Sequence, residues 1–577
     1  MIDDCKNVNE LKNTTYWDIV IITALDKAQK EAYDSTINER LKTNRIPCGV
    51  QYLIVADPWK IGNGGSTMHA LHVVEQQLGE NFSKNRILLI HAGGYSQRTP
   101  TSCCLGKIST SIPKGFPVYD LLDLKLALYS LFPSRMKSGI FLCSSDTIEI
   151  FDCGNDINWW IKEDFVAFSH PSTVSVGEQH GVYVLDRSSS KDGILYQALC
   201  VLQKPSIEKM KKYNAIHTEN NRDRVYTDSL YYFNFNVAKK LMAIWRSELK
   251  NEHEETAFYC EIDCYGDFMM PLGKQASISN EFNDNDERTK ILKKIFENLR
   301  TCQLEVIVLE NSTFNHTGTN EEYLDICCNQ QAQLFLELDL TKQIGLKLYD
   351  NIETQKNINF WQISSITNKI STKTQHPLNI HGCVFHSIIH EKSHTHPRSI
   401  IEYCLINIPI IIQINSILSN INIDGTCIPT INRIELPSGL IMQTISVCDN
   451  VHNNSQLSYV TFAFEYDASM KKIYNDINEM KYFDKPLSLI ANKLNCKIDD
   501  LFNKNEKSKS LWNIKLFSLG QTPTQSFIQT WNLISVDTNC FNENLLKRIS
   551  MADILKIRLV KNILQYRSNM TNNTNNS

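Results

Sequence analysis

Residues 86–107 read RILLIHAGGYSQRTPTSCCLGK. Six residues with an unbroken apolar run, Arg86 to His91, fit a fully buried strand. The chain then turns at Gly93 and Gly94, passes Arg98, and reaches Lys107 nine residues further on. Paired glycines let a backbone turn tightly and bring its N–H groups against phosphate oxygens. An arginine forks onto those oxygens, and a lysine supplies a point charge where negative charge builds up. The stretch matches neither G-x-x-x-x-G-K-[S/T] nor G-x-G-x-x-G. Read alone, it is also compatible with an ordinary surface turn carrying incidental cations.

Working outward, the same rhythm repeats. Trp17-Asp-Ile-Val-Ile-Ile-Thr-Ala24 reads as a buried strand, residues 27–42 as a helix and Tyr52–Ala56 as a strand. Lys60-Ile-Gly-Asn-Gly-Gly-Ser-Thr67 leads into a helix over 67–78, with Ser66 or Thr67 as its cap. A helical pattern over 119–132 and a strand over Gly139–Cys143 follow. Strand–helix–strand alternation predicts an α/β fold with a mainly parallel sheet, whose ligands bind at the carboxyl ends of the strands. Both glycine-rich loops lie at such ends.

The texture changes near residue 377. Ile388, Ile400, Ile406, Ile412 and Leu418 fall on one six-residue register, as in a β-helix. Residues 485–502 and 541–566 read as helices, and the terminal NMTNNTNNS as disordered. The expected organisation is a catalytic domain over 1–345, a β-helix-like domain over 346–450 and a mixed region over 451–577.

Composition limits the function classes. The 577 residues are 42% hydrophobic and 21% charged, as in an ordinary globular protein. The 59 basic and 63 acidic residues leave a net charge of −4, which argues against a nucleic-acid binder. The N-terminus has no signal-peptide pattern, and the most apolar stretch, residues 404–414, is too short to span a bilayer. A cytoplasmic protein without membrane partners is expected, its 18 cysteines reduced. Composition leaves its oligomeric state open.

Carboxylates suited to a metal occur twice. Asp146 follows the strand GIFLC, and Asp263 and Asp267 share a helical face if Glu261–Phe268 is helical. Read without any resemblance, the second pair is more simply an acidic helix start. His376, His381, His386, His390, His394 and His396 crowd together, but β-branched neighbours and Pro397 argue against the helix that zinc spacing would need.

The segments WDIVIITALD, KIGNGGST, LLIHAGGYSQR, HGVYVLD, LQKPSIEKM, YTDSLYYF, EIDCYGDF and FNHTGTNEEYL occur in this order between residues 17 and 324. In them the chain resembles the fucose-1-phosphate guanylyltransferases, and the pyrophosphorylase half of bifunctional fucokinase/GDP-fucose pyrophosphorylases. The spacer DPWK before GNGGST is about two residues shorter than the family's. The resemblance implies a Rossmann-like sugar-nucleotidyltransferase domain that converts GTP and β-L-fucose 1-phosphate to GDP-L-fucose and pyrophosphate with Mg2+. It implies catalytic roles for Arg98, Lys107 and Lys204, the last on the sugar phosphate. Nucleotide contacts would come from Gly62, Gly64, Gly65, Gly93, Gly94 and Ser96. The sugar would meet His180, Gly181 and Asp228, and the metal Asp146 with Asp263 or Asp267, Asp263 being preferred. Another sugar 1-phosphate as acceptor, or a catalytically inactive paralogue, remain the alternatives.

Overall fold

The computed structural model describes residues 15–151, 161, 163–191, 194–219, 221–250, 260–277, 286–329, 343–349, 379–451, 454–504, 506, 508–535 and 547–575. The chain divides into two compact units. Unit 1 comprises Met1–Tyr95 and Leu122–Asn315, and unit 2 comprises Ser96–Leu121 and His316–Ser577. Among the described residues no helix is long and apolar enough to cross a membrane.

Unit 1 is built on a mixed sheet. Strand β1 (Ile19–Ala24) leads through helix α1 (Lys27–Lys42) to β2 (Gln51–Ala56), and helix α2 (Gly62–Leu78) leads to β3 (Arg86–His91). Then come β4 (Gly139–Ser144), β5 (Phe165–Thr173), β6 (Gly181–Lys191), β7 (Leu195–Gln203), β8 (Arg222–Phe233) and β9 (Leu304–Val308). Their spatial order is β2-β1-β3-β4-β8-β5-β9-β7-β6. The first four form a continuous parallel set, and β5 and β9 pair parallel as well. Strand β8 runs antiparallel to both β4 and β5, and β7 antiparallel to β9 and β6. The expected mainly parallel sheet is therefore half of a mixed one. The strand–helix alternation that predicts parallel pairing stops after β4, which a helix over Leu121–Leu128 precedes.

Every residue of β1 is buried, because helices cover both faces of the parallel half. The chain leaves β1 toward β2 on one side and returns past β1 to β3 on the other. Such a reversal of strand order opens a crevice at the carboxyl ends of β1 and β3.

Unit 2 stacks short parallel strands. In β10 (Cys383–His390), β11 (Ser399–Glu402), β12 (Ser416–Ser419) and β13 (Leu440–Val451), Cys383 pairs with Ile400, Ile400 with Ile417 and Ile417 with Ile441. Successive rungs are bridged by hydrogen bonds between residues 17 apart, the Ser419 hydroxyl donating to Glu402 and the Cys404 N–H to Ser387 Oγ. This spacing is one short of three hexads. In a strand a slip of one residue turns a side chain to the opposite face. Ile388 and Ile400 accordingly pack in one core, and Ile406, Ile412 and Leu418 in another. The six-residue register therefore does not line one face.

Strand β14 (Asn454–Glu465) pairs antiparallel with β13. One apolar cluster extends from Ile380 to Ile563, so the boundary expected near 450 does not separate two cores. The described part of the tail expected to be disordered, residues 569–575, is helical: α3 (Val560–Asn575) buries Met570, and Thr574 bonds the ring of His386 at 2.8 Å. Asn and Thr are poor helix formers, and this buried face overrides their propensity.

Candidate active site

The β1/β3 crevice is closely built. Thr23 Oγ1 accepts the N–H groups of Ala92 and Gly93 at 3.2 and 3.4 Å. Gln29, in the first turn of α1, accepts from Leu25 N at 2.6 Å and donates to the Gly94 carbonyl at 3.1 Å. Tyr33 donates to the Ala92 carbonyl at 2.8 Å. A Cβ on Gly93 would lie 3.2 Å from the Ala24 backbone, so this glycine permits the close approach of two strand ends.

The second glycine loop is held from an unexpected side. Helix α2 starts at Gly62 rather than near Thr67, with no side-chain cap. Gly64 N donates to the Ile262 carbonyl at 2.8 Å, Ile262 N donates to Ile61 at 2.9 Å, and Asn63 Oδ1 accepts Cys264 N at 2.8 Å. A Cβ on Gly64 would stand 2.7 Å from Ile262 Cγ2, and one on Gly65 2.7 Å from Ile61 Cβ. Gly64 brings the 261–264 turn against the helix start, and Gly65 makes room for the Ile61 side chain. Ser66 is buried and donates to Asp57 at 2.6 Å, while Thr67 bonds the ring of His91 at 2.8 Å. Burial holds His91 down to about 4, so its ring is neutral, and pushes the Asp57 carboxyl up to about 7.

The metal candidates differ in their commitments. Asp146 stands two residues beyond β4, and its carboxylate accepts from the Ser144 hydroxyl. Asp263 and Asp267 do span one helical turn, Asp267 N donating to the Asp263 carbonyl at 2.7 Å. The Asp267 carboxylate folds back onto the N–H of Asp263 at 2.8 Å and pairs with Arg288 at 3.0 Å. The Asp263 carboxylate accepts from the N–H of Tyr265 at 3.1 Å. The 263–267 turn lies beside β3: Cys264 Sγ contacts His91 Nδ1 at 3.7 Å, and the rings of His91 and Tyr265 are 6.4 Å apart.

The residues assigned to the sugar gather around Asp228. Its carboxylate accepts Gly181 N at 3.0 Å, and Lys204 N donates to the His180 carbonyl at 3.1 Å. The Gln203 side chain lies between Gly181 and Gly266, within 3.0 and 3.4 Å of a Cβ on either. Burial pushes Asp228 up to about 7; the Gly181 bond opposes the shift, the charge of Asp263 adds to it, and that of Lys204 lowers it. His180 packs edge-on against Phe314 at 5.3 Å.

Arg98, Lys107 and Ser96 belong to unit 2. Arg98 is exposed and Lys107 half-buried, and Ser96 holds a left-handed φ of 51° at the turn that passes from one to the other. Cys103 and Cys104 between them are core residues, their thiols pushed up by burial.

Of the histidine cluster, His376 lies outside the described residues. His386 is buried between Val118 N and Thr574, and His390 and His396 accept from Lys392 N and Arg398 N. Among the described residues no group of three His, Cys, Asp or Glu side chains is placed to hold a metal.

Sequence reading passed over Thr23, Gln29 and Asp57. Each is polar at a strand end or in a first helical turn, a pattern too common to single out without the strand order.

The fucose pyrophosphorylase domain model matches residues 79–522. Human fucose-1-phosphate guanylyltransferase is 33% identical over 96% of this chain and 90% of its own length. The chain belongs to the fucose pyrophosphorylase family. The mouse fucose-1-phosphate guanylyltransferase is 32% identical, over 96% of this chain and 93% of its own. Among solved structures, HddC from Yersinia pseudotuberculosis aligns with 55% of this chain and 81% of its own at 11% identity, with a TM-score of 0.25. A score that low adds nothing about the fold. Within the fucose pyrophosphorylase family match fall β3, the 261–268 turn, Lys204 and Asp228; α2 lies wholly before it.

Proposed function

We propose that this protein transfers the guanylyl group of GTP to β-L-fucose 1-phosphate, forming GDP-L-fucose and pyrophosphate in a cytoplasmic salvage reaction. The observation that carries this reading is the match, along nearly the whole chain, to curated fucose-1-phosphate guanylyltransferases. The crevice at β1 and β3 supports it, being the place where such a sheet binds nucleotides.

An oxygen of the sugar phosphate attacks the α-phosphorus, forming one P–O bond as the bond to the pyrophosphate oxygen breaks. No enzyme side chain need bond covalently, so the protein contributes position and field. The carboxylates of Asp146 and Asp263 are hard oxygen donors of the kind Mg2+ takes, and two suffice because this ion keeps several waters and substrate oxygens. When bound, Mg2+ would neutralise the triphosphate. Asp267, spent on Arg288 and on the Asp263 backbone, is the poorer ligand.

Backbone at Gly93 and Gly94 receives the nucleotide, while Gly62 and Gly64 set the position of the turn that carries Asp263 and Gly65 seats Ile61 at the helix start. Arg98 and Lys107 are assigned to the triphosphate and Lys204 to the sugar phosphate, with Ser96 at the loop turn. Asp228 and the backbone of His180 and Gly181 face the sugar. We read the stacked parallel strands of unit 2 as a short β-helix.

The test is pyrophosphate release with GTP, ATP and UTP against fucose 1-phosphate and mannose 1-phosphate. Release with GTP and fucose 1-phosphate alone is expected. Release with a different pair, or none, overturns the reading.

A further inference from the structure

Unit 2 holds a cavity of about 440 Å³ that none of the reaction chemistry above uses. This volume lies in the usual range for small-molecule sites. It is formed where α3 passes over β13 and β14, and its wall includes Asn420, Tyr459, Lys561, Gln565, Tyr566 and Asn569. Among the described residues no carboxylate lines it. The wall offers carboxamides that both donate and accept, two aromatic rings and one cation.

Asn420 is the pivotal residue. It is 5% exposed, with a left-handed φ of 54° that Asn tolerates better than most residues. Its Oδ1 accepts from Arg567 Nε at 3.0 Å, and Arg567 is itself fixed by Glu402 at 2.9 Å. A guanidinium only donates, so the carbonyl end of the amide must face Arg567 and the NH2 end must face away. That NH2 has no partner among the described residues, nor has the hydroxyl of Tyr566. A buried donor left unpaired is unfavourable, and a ligand oxygen would satisfy it.

We propose that this cavity binds a phosphorylated sugar at a site apart from the catalytic residues. The carboxamides suit vicinal hydroxyls, the faces of Tyr459 and Tyr566 suit the C–H face of a pyranose, and Lys561 suits phosphate. A sugar 1-phosphate and a nucleotide sugar both carry this chemistry. The proposal goes beyond the catalytic reading and does not depend on it.

Hydrogen–deuterium exchange of the full chain tests it, with L-fucose, inorganic phosphate, β-L-fucose 1-phosphate and GDP-L-fucose as separate probes. Fucose 1-phosphate, GDP-fucose or both should protect peptides from 440–447 and 560–575, and which of them does so identifies the source. Fucose alone should protect weakly and phosphate alone not at all. Lys561→Gln, at an exposed position, and Asn420→Asp, which replaces the donor with an anion, should each raise the half-saturation concentration for this protection about tenfold. Both should leave pyrophosphate release unchanged. No protection by either phosphorylated sugar, equal protection by phosphate alone, or protection unaltered in Lys561→Gln would overturn the proposal. The Lys561 variant carries the test should Asn420→Asp fold poorly.

Discussion

The carboxylate of Asp267 accepts the backbone N–H of Asp263 at 2.8 Å, so the second acid of the pair serves to hold the first. From this arrangement Asp263→Asn should lower kcat by about a hundredfold, the usual scale for losing one transition-state electrostatic contact. Asp267→Asn keeps an acceptor for the Asp263 N–H and loses the charge facing Arg288. It should lower the melting temperature and leave at least a tenth of kcat. Steady-state rates and a Mg2+ titration of both variants decide the matter, and equal losses of kcat would remove the distinction.

Lys107→Ala should preserve the fold and reduce kcat about a hundredfold, because the side chain is half-buried and leaves no large void. Circular dichroism with single-turnover kinetics checks both halves. A variant retaining most of its kcat would take Lys107 out of the reaction.

Gly64→Ala places a methyl 2.7 Å from Ile262 Cγ2 in a packed region. Overpacking of this kind costs about 1–3 kcal/mol, and here the displaced turn carries Asp263. A fall in urea midpoint together with a raised Mg2+ requirement is expected. A change in stability with an unaltered metal titration would separate the glycine from the site.

The buried Lys125–Glu149 pair, 3.1 Å apart with Tyr129 and Thr147 bonded to the same ammonium, offers a stability test. Burial works to raise the Glu149 carboxyl, but Lys125 and the hydroxyl donors outweigh it and hold it below the usual range. Lys125→Met should cost about 3–5 kcal/mol because it strands a buried carboxylate. Adding Glu149→Leu should recover much of that loss, read from urea unfolding of the single and double variants.

Asp228 sets a pH dependence. Its carboxyl titrates at about 7 in the folded chain, against about 3.9 when unfolded. Between these values the folded state holds the extra proton, so this residue makes stability fall as pH rises from about 4 to about 7. His91 and His170, held down to about 4 by burial, act oppositely over about 4 to 6.5. Asp228→Asn removes the first effect alone. The urea midpoint of this variant relative to the parent should therefore climb between pH 5 and 8, and a flat difference would refute the assignment.

The strand and helix limits from Ile19 to His91 were nearly all legible, because buried parallel strands are continuous apolar runs and α1 has a clear cap at Asp26. The start of α2 was not. Three glycines read as a loop, and only the contact with Ile262, far away in sequence, makes them helical. The tail failed for the same kind of reason, since its asparagines gain a helix from the packing of Met570 and Thr574. Lys125 carried a signal that went unread: a single lysine within Leu121-Leu-Asp-Leu-Lys-Leu126 demands a buried counter-charge. Asp146, Asp228 and Asp263 were legible as residue types through resemblance to a family. Their division of labour depends on hydrogen bonds that spacing does not specify.

The meshing of Asn63 and Gly64 with Ile262 and Cys264 joins segments 201 residues apart with less than a methyl group to spare. Neither segment is then free to drift alone over evolutionary time. A larger residue on one side must be answered by a smaller one on the other, and libraries built to alter nucleotide preference will recover more working clones when both stretches are varied together.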